Sequence, residues 1–334
     1  MAPELYLSSF ALSVFGAWLV ARFAGKLFAI DCPNARSSHL RPTPKGGGVG
    51  ILAAFSFVCI ISGISSWFWG TMSTLALITG YGDRVEMSAR TRLFAQLCLA
   101  GVFILGTWQP TSNIYLSPLL MLLWLIFIVG TANFYNFMDG IDGVAGMTGV
   151  VGFSLLAFYI YSHEGQVRLA NLSLCMACSC LGFLPLNMPK AKVFMGDIGS
   201  ILLGAVFSGL IYLASHRLLD FLCMASFLFP FYADELTTIA VRLKRNESLT
   251  QPHRRHIYQI LANEKGIDHW KVSLGFGFIQ FVVGVSAMLA RPFGVPAVFA
   301  LLVLSFIVFA GLSFHLRSSL ERHTGHRLKS KSPA

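Results

Sequence analysis

Charged side chains are scarce in this sequence. Asp, Glu, Lys and Arg make up 12% of its 334 residues, whereas 55% are hydrophobic; soluble domains usually carry about 25% charged residues. Runs such as Leu119–Val129 and Val295–Phe314 contain no charge at all. Because a bilayer core about 30 Å thick needs roughly 20 apolar residues per helix, this shortage excludes an ordinary soluble domain and predicts repeated membrane crossings.

No shift in composition divides the chain, so we expect one integral membrane domain, residues 1–334, with a basic tail from about residue 315. The apolar segments are too long and too uniform for the alternating strands of a barrel, which predicts an all-α polytopic protein. About eleven spans (10–11) are expected, near Leu5–Phe23, Val49–Trp69, Thr71–Tyr81, Leu93–Trp108, Ile114–Ala132, Val144–Tyr161, Leu169–Leu186, Ile198–Ala214, Phe221–Thr238, Val272–Leu289 and Val295–Phe314.

Acidic residues are few, 15 against 25 Lys and Arg. With the N-terminus placed outside, in the periplasm, 22 of those 25 basic residues fall on the inner side, as the positive-inside rule requires. The excess of Lys and Arg over Asp and Glu therefore reflects the membrane topology and anionic ligands. It excludes nucleic acid as a partner. For the basic tail, contact with anionic lipid headgroups is the favoured interpretation.

Six Asp residues lie at or near the inner ends of the predicted spans. Carboxylates beside apolar helices are costly and usually functional. Their convergence among Lys, Arg and His predicts Mg²⁺, with Mn²⁺ as the alternative, bound together with a polyphosphate. These residues are Asp31, Asp83, Asp139, Asp142, Asp197 and Asp234.

Residues 133–143 read NFYNFMDGIDG. If the preceding helix continues, Asn136 and Asp139 share a face, as do Asp139 and Asp142, while Gly140 and Gly143 let the backbone approach a ligand. The alternative is a polar turn between helices, where Asn, Asp and Gly are common.

Residues 189–200 read PKAKVFMGDIGS. Asp197 precedes an apolar span, so it is either a metal ligand or a helix N-cap. Phe194 is suited to stacking on a base or to the membrane interface.

Two further clusters carry basic residues. Residues 251–258 read QPHRRHIY, in which His253, Arg254, Arg255 and His256 offer donors for phosphate or sugar hydroxyls; a solvated basic loop is the alternative. Residues 36–48 read RSSHLRPTPKGGG, and a Gly-rich turn that opens a helix beside Lys45 suits phosphate, although the signal is weak by itself.

These four clusters, in this order, resemble the polyprenyl-phosphate N-acetylhexosamine-1-phosphate transferase superfamily. The similarity runs from about Asp31 to Ile260. It is strongest to the branch that starts bacterial O-antigen chains, the WbpL/WecA-like enzymes, and weaker to the related peptidoglycan enzyme MraY.

The resemblance implies that undecaprenyl phosphate attacks a UDP-N-acetyl sugar of the GlcNAc, FucNAc or QuiNAc type. The reaction would release UMP at the bacterial inner membrane and begin lipopolysaccharide synthesis. The implied partners are these two substrates and membrane lipids, and a homodimer is left open beside the monomer.

The same resemblance implies roles for individual residues. Asp197 and Asn136 would hold Mg²⁺, Asp139 and Asp142 would act beside it in catalysis, and Phe194 would face uracil. The nucleotide or sugar would also be contacted by Lys45, Asn133, Asn187, Lys192 and the 253–256 segment.

One position departs from the family. Its members carry two adjacent Asp at the end of the third span, followed by a helix with Arg-Leu. Here Gly82 precedes Asp83, and Arg92-Leu93 follows. In the family the pair is proposed to handle the lipid phosphate or its proton. A phosphate monoester is largely ionised at neutral pH, so a base is dispensable, but a weakly active or inactive variant is an alternative.

Two other classes of function are open. An ion-coupled transporter would place acids near mid-membrane and show an internal repeat, and the sequence has neither. A non-catalytic scaffold would leave the four clusters without a purpose.

Three cysteines, Cys175, Cys178 and Cys180, lie in an apolar span, where free Cys behaves as a small hydrophobe rather than a metal ligand.

Overall fold

A computed structural model describes residues 3–25, 29–33, 38–39, 41–108, 116–248 and 254–329. These residues are mostly helical, which confirms the all-α prediction. The helices are α1 (Glu4–Arg22), α2 (Val49–Ile61), α3 (Ser66–Val85), α4 (Ala89–Thr107), α5 (Leu116–Phe137), α6 (Val144–Tyr159), α7 (Val167–Asn187), α8 (Asp197–Ala214), α9 (Leu218–Ala225), α10 (Phe229–Lys244), α11 (Ile257–Gln259), α12 (His269–Ala290) and α13 (Val295–Lys329).

Short irregular turns connect some of these helices. A π-helical turn, Ile160–Glu164, extends α6, and a second one, Ile260–Glu264, follows α11. Two 3₁₀ turns, Ser226–Leu228 and Arg291–Phe293, join α9 to α10 and α12 to α13. The strands are β1 (Ile30–Asp31) and β2 (Thr43–Pro44), which pair antiparallel.

Eight helices of the described chain are long and apolar enough to cross a membrane, so the chain is a multi-pass membrane protein. The predicted second span, Val49–Trp69, is wrong in its extent: α2 ends at Ile61 and α3 starts at Ser66. Between them Gly63 has a φ of 62°, a conformation that interrupts a helix. The predicted third span is correspondingly longer, because α3 has 20 residues.

The predicted span Phe221–Thr238 is interrupted as well. Helix α9 ends at Ala225, and α10 begins with Pro230 in its first turn. Proline lacks the N–H that a helix interior needs but fits the first turn, where that N–H would be unbonded. The segment is therefore two short helices joined by a 3₁₀ turn.

Helix α8 forms the centre of the bundle, with 89% of its residues buried inside the protein. It packs against α5 and α3, and also contacts α2. A Cβ on Gly48 would lie 2.3 Å from the Cα of Gly199, so the chain entering α2 touches the first turn of α8 directly. Small residues permit such close backbone packing, and this contact positions the site described next.

Candidate active site

A cavity of about 400 Å³ opens at the end of the bundle where α8 begins. Its walls come from four segments that are distant in sequence: the β1–β2 region, the loop after α5, the loop before α8, and the α11–α12 region. The predicted site residues that line it are Lys45, Asn136, Asp139, Asp142, Asn187, Phe194 and Asp197.

Backbone hydrogen bonds join the first wall to the third. Gly46 N and Gly47 N donate to Phe194 O at 3.1 and 2.8 Å, and Gly48 N donates to Met195 O at 2.9 Å. These amides are therefore already engaged, and the expectation that the glycine run cradles phosphate is wrong. The run instead lets the chain pack closely against the start of α8 and carries Lys45 into the cavity.

Two basic side chains meet two carboxylates where α8 begins. Lys45 Nζ lies 2.8 Å from Asp83 Oδ1 and 3.7 Å from Asp197 Oδ1. Arg92, from α4, pairs with Asp197 Oδ2. Burial lowers the pKa of Lys45, but Asp197 and Asp83 outweigh that effect and the net pKa is raised, so the ammonium keeps its proton at neutral pH.

Asp83 fixes the first turn of α8. Its Oδ2 accepts a hydrogen bond from Asp197 N at 2.8 Å, which satisfies one of the backbone amides that a helix start leaves open. The cap position itself is Gly196, which has a φ of 73° and no side-chain cap bond. Asp197 is thus the first helical residue, and its carboxylate does not serve as the N-cap.

Asn136 and Asp197 both line the cavity. Ser200 Oγ donates to Asn136 Oδ1 at 2.7 Å, and Ser200 lies one turn beyond Asp197 on α8. Within the described residues, no three His, Cys, Asp or Glu side chains are grouped closely enough to hold a metal by themselves. One carboxylate and one amide oxygen nevertheless fit Mg²⁺, which typically takes one or two carboxylates and completes its shell with water and substrate phosphate.

The loop after α5 carries Asp139 and Asp142. Because α5 ends at Phe137, these residues do not share a helix face, and the expectation of a continued helix is wrong. Burial and the nearby carboxylates Asp197, Asp142 and Asp83 raise the pKa of Asp139 to about 7, against the opposing effect of Lys45. Asp139 thus exchanges a proton near neutral pH in the substrate-free protein.

Asp142 links the loop after α5 to the loop before α8 and to the start of α12. Its Oδ2 accepts from Ala191 N at 3.2 Å, and it lies 3.3 Å from Nδ1 of His269, the first residue of α12. Asn187 strengthens the same junction, since its Oδ1 accepts from Gly143 N at 2.7 Å and its Nδ2 donates to Val193 O at 3.0 Å.

Phe194 presents an aromatic ring to the cavity beside the imidazole of His39, with ring centroids 4.8 Å apart. Lys192, predicted to lie beside the nucleotide, is exposed and does not line the cavity. Its backbone N donates to Leu186 O at 2.8 Å, which shapes the loop.

The described residues of the basic segment before α11, Arg254 to His256, do not line the cavity. His253 lies outside the described residues, and Arg254 and Arg255 do not line the cavity; Arg255 pairs with Glu247 at 2.7 Å. His256 is buried, with Nε2 3.4 Å from Glu235 Oε2. The cavity is reached instead by Gln259, three residues further along.

The remaining predictions concern Asn133 and Gly82. Asn133 lies outside the cavity, and its Nδ2 donates to Gln96 Oε1 at 2.6 Å and to Val129 O at 2.7 Å. Gly82, the position that departs from the family, is buried, and a Cβ there would lie 3.2 Å from Met87 Cβ.

Sequence reasoning missed four residues of this site: Arg92, His39, Gln259 and His269. Arg92 and His39 stand in sequence motifs described above, but nothing local marks them as neighbours of Asp197 and Phe194. His269 begins an apolar helix as Asp197 does, and that placement was a usable signal. Gln259 had none, because a single Gln in a polar loop is ordinary.

The comparisons with known proteins agree with one another. Residues 65–215 match the model of glycosyl transferase family 4. A decaprenyl-phosphate N-acetylglucosaminephosphotransferase of Mycobacterium leprae is 29% identical, over 84% of this chain and 81% of that protein. A probable undecaprenyl-phosphate N-acetylglucosaminyl 1-phosphate transferase of Bacillus subtilis is 29% identical, over 82% and 80%.

A more distant relative carries the same kind of name. The undecaprenyl-phosphate alpha-N-acetylglucosaminyl 1-phosphate transferase of Salmonella typhi is 25% identical, over 76% of this chain and 75% of its own length. The motifs quoted above, the matched family model and these relatives concur. Together they support the assignment of the chain to the polyprenyl-phosphate N-acetylhexosamine-1-phosphate transferase superfamily.

Proposed function

We propose that this protein transfers an N-acetylhexosamine-1-phosphate from a UDP-sugar to undecaprenyl phosphate and releases UMP. The observation that carries the proposal is the group of Lys45, Arg92, Asp83 and Asp197 lining or adjoining a cavity at one end of a membrane bundle. A lipid-linked acceptor requires a site at the membrane surface, and a diphosphate donor requires fixed cations. The names of the relatives, which are polyprenyl-phosphate N-acetylglucosamine phosphotransferases, support the same reaction.

The basic side chains bring two anions together. Lys45 and Arg92 are held by carboxylates in the substrate-free protein, so their positions are set before substrate arrives. Such preorganised charge stabilises the phosphoryl oxygens in the transition state without later rearrangement.

Asp197 and Asn136 are the residues that would hold Mg²⁺, or Mn²⁺ in its place. A divalent ion there supplies charge neutralisation for the diphosphate and the departing UMP. The chain contributes the orientation: Asp83 fixes the backbone of Asp197, and Ser200 fixes the amide of Asn136. The acceptor phosphate is mostly ionised at neutral pH, so Asp83 and Asp139 are needed chiefly to place charge and to take up a residual proton.

The wider role follows from the branch that the motifs resemble. We place the protein in the bacterial inner membrane, at the first step of lipid-linked O-antigen synthesis. The donor is a UDP-N-acetylhexosamine of the GlcNAc, FucNAc or QuiNAc type. The transporter hypothesis required acids in the middle of the membrane, whereas the acids of this cavity lie at the ends of α3, α5 and α8.

A donor panel tests the proposal. Purified protein in detergent is supplied with undecaprenyl phosphate, Mg²⁺ and each UDP-sugar in turn, and both UMP release and the mass of the lipid product are measured. One donor should give a lipid diphosphate-sugar, and Asp197→Ala should lower turnover at least 100-fold. Glu264→Ala, which alters an exposed carboxylate, is the matched control and should retain activity. Transfer that survives Asp197→Ala would contradict the metal-ligand assignment.

A further inference from the structure

A second cavity, of about 600 Å³, lies at the opposite end of α8 from the active site. Helix α8 has 18 residues, so about 27 Å of helix separates the two cavities. The volume falls within the roughly 300–1,000 Å³ that is usual for small-molecule sites. None of the four sequence clusters contributes to it. Five aromatic side chains line this aromatic cavity: Trp108, Trp124, Phe127, Tyr212 and Phe221.

One face of α5 forms its apolar wall. Four residues of α5 line the cavity at the three- and four-residue spacing of a single helix face: Leu120, Leu123, Trp124 and Phe127. The Trp124 ring packs edge to face against Tyr212 and Phe221, with centroids 5.2 and 5.5 Å apart. Leu123 is 52% exposed, and an exposed leucine on a membrane-spanning helix faces lipid. The cavity therefore has an aromatic wall and borders the lipid.

The loop between α8 and α9 supplies the polar rim. Ser215 and Arg217 both line the cavity. The Ser215 hydroxyl is buried and has no hydrogen-bond partner among the described residues, which costs free energy. Arg217 is exposed, and no described acidic side chain forms an ion pair with it. The hydroxyl and the guanidinium are therefore both available to an oxygen acceptor.

The acidic residues near this loop contact other groups. Asp220 Oδ1 accepts from Tyr159 Oη at 2.8 Å and from Arg291 Nη2 at 3.1 Å. Glu164 Oε2 lies 4.0 Å from His216 Nε2. No Asp or Glu is among the described residues that line the aromatic cavity. Its unbalanced charge is therefore the positive charge of Arg217.

We propose that the aromatic cavity binds one anionic phospholipid, of the phosphatidylglycerol type, from the leaflet opposite the active site. Arg217 and Ser215 bond its phosphate, since a guanidinium fork matches phosphate oxygens, and an acyl chain packs along α5 against the leucines and rings. Trp108 caps α4 and Tyr212 lies in the last turn of α8, at the headgroup level where Trp and Tyr are enriched.

Charge selects this lipid among phospholipids. A zwitterionic headgroup carries an ammonium that would find no carboxylate in the lining, whereas an anionic headgroup balances Arg217. The inference concerns the end of the bundle remote from the active-site cavity, and it does not depend on the proposed function.

Photolabelling measures binding at this cavity separately from binding at the basic tail. Purified full-length protein in detergent receives a trace of phosphatidylglycerol that carries a diazirine on its acyl chain, and the adduct on α5 is quantified by peptide mass. Unlabelled phosphatidylglycerol should displace the label at a lower concentration than phosphatidylcholine does. Arg217→Gln should raise the half-displacing concentration of phosphatidylglycerol about tenfold, the lower value for a hydrogen bond to a charged group.

Two further variants separate lipid contact from a structural role. Ser215→Ala removes a hydroxyl without a partner, so it should not lower the thermal unfolding temperature in lipid-free detergent. It should nevertheless weaken phosphatidylglycerol roughly 2- to 10-fold, the value of one hydrogen bond. Arg168→Gln, at an exposed arginine of α7 outside the cavity, is the matched control and should leave both measurements unchanged.

Four outcomes would overturn the inference. The first is an adduct that is absent from α5 or that Arg217→Gln does not diminish. The second is equal displacement by phosphatidylcholine and phosphatidylglycerol, which would show that the cavity does not distinguish charge. The third is an equal loss in Arg168→Gln and Arg217→Gln, which would indicate a general effect of surface charge. The fourth is displacement by undecaprenol, an uncharged isoprenoid, at a lower concentration than by phosphatidylglycerol, which would assign the cavity to an isoprenoid chain.

Discussion

Asp197 is held on two sides, by Lys45 and by Arg92, and the two cations are not equivalent. An ammonium is a compact point charge, whereas a guanidinium is a planar fork that bonds a carboxylate or a phosphate through two N–H groups. Lys45 also reaches Asp83, but Arg92 lies on α4 with Asp197 as its ion-pair partner. Replacing Arg92 therefore tests a single ion pair, whereas replacing Lys45 would affect Asp83 as well.

We expect Arg92→Ala to lower turnover roughly 10- to 100-fold, the range for a hydrogen bond to a charged group. Arg92→Lys should recover only part of the loss, because it restores charge without the planar fork. Arg90→Ala, an exposed position of the same helix turn, is the control. Steady-state release of UMP measures the effect, and full activity in Arg92→Lys would show that charge alone suffices.

Gly82 permits a test of the missing carboxylate. We expect Gly82→Asp to raise turnover about tenfold, a modest part of what a positioned proton acceptor supplies. The new Cβ would lie 3.2 Å from Met87 Cβ, and 3.6 and 3.7 Å from its Sδ and Cε. Met87→Ala, which removes these outer atoms, is combined with it to make room for the Asp carboxylate. Met87→Ala alone is the control, and turnover that does not change in the double variant would mean that Asp83 is sufficient.

At the scale of elements, the short helix α11 is fixed by groups from two directions. Asp234 accepts from Ile257 N at 2.9 Å and from Tyr258 N at 3.4 Å, which satisfies its first-turn amides. Tyr258 Oη donates to Phe137 O at 2.9 Å, at the end of α5. Helix α11 therefore supports the loop that carries Asp139 and brings Gln259 to the cavity.

Gly140 is the point where this support can be tested. A Cβ there would lie 2.3 Å from Tyr258 Oη, so we expect Gly140→Ala to destabilise the protein by about 1–3 kcal/mol through overpacking. Thermal unfolding in detergent measures the change, and Tyr258→Phe added to Gly140→Ala should recover part of it. Gly275→Ala, at an open position of α12, should be neutral or slightly stabilising, as helix propensity predicts. Equal stability of the two alanine variants would contradict the contact.

At the scale of the whole molecule, the two ends of the bundle differ in charge and therefore in the side they face. Cys32 is exposed near the cavity, and His216 is exposed at the opposite end. In intact cells, a membrane-impermeant maleimide should label His216→Cys and spare Cys32, with Cys98, which is also exposed, replaced by Ala. Opened cells should label both, and labelling of Cys32 in intact cells would reverse the proposed orientation.

The sequence predicted the fold class well, because long apolar runs admit few structures in a bilayer. It predicted the breaks at Gly63 and Pro230 poorly, since an apolar run conceals a turn that is buried within the protein. It identified Lys45, Asp139 and Asp197 as members of a site, because charge beside an apolar helix is costly. It could not place Gln96 opposite Asn133, or His269 against Asp142, since those pairings depend on how distant helices pack.

The backbone hydrogen bonds between residues 46–48 and residues 194–195 have a consequence for biosynthesis. A ribosome delivers the glycine run long before the segment that its amides bond, and α12, which carries His269, emerges later still. Contacts of such large sequence separation form late, as domains fold while synthesis proceeds. The nascent chain therefore lacks the complete cavity until most of its helices have been synthesised.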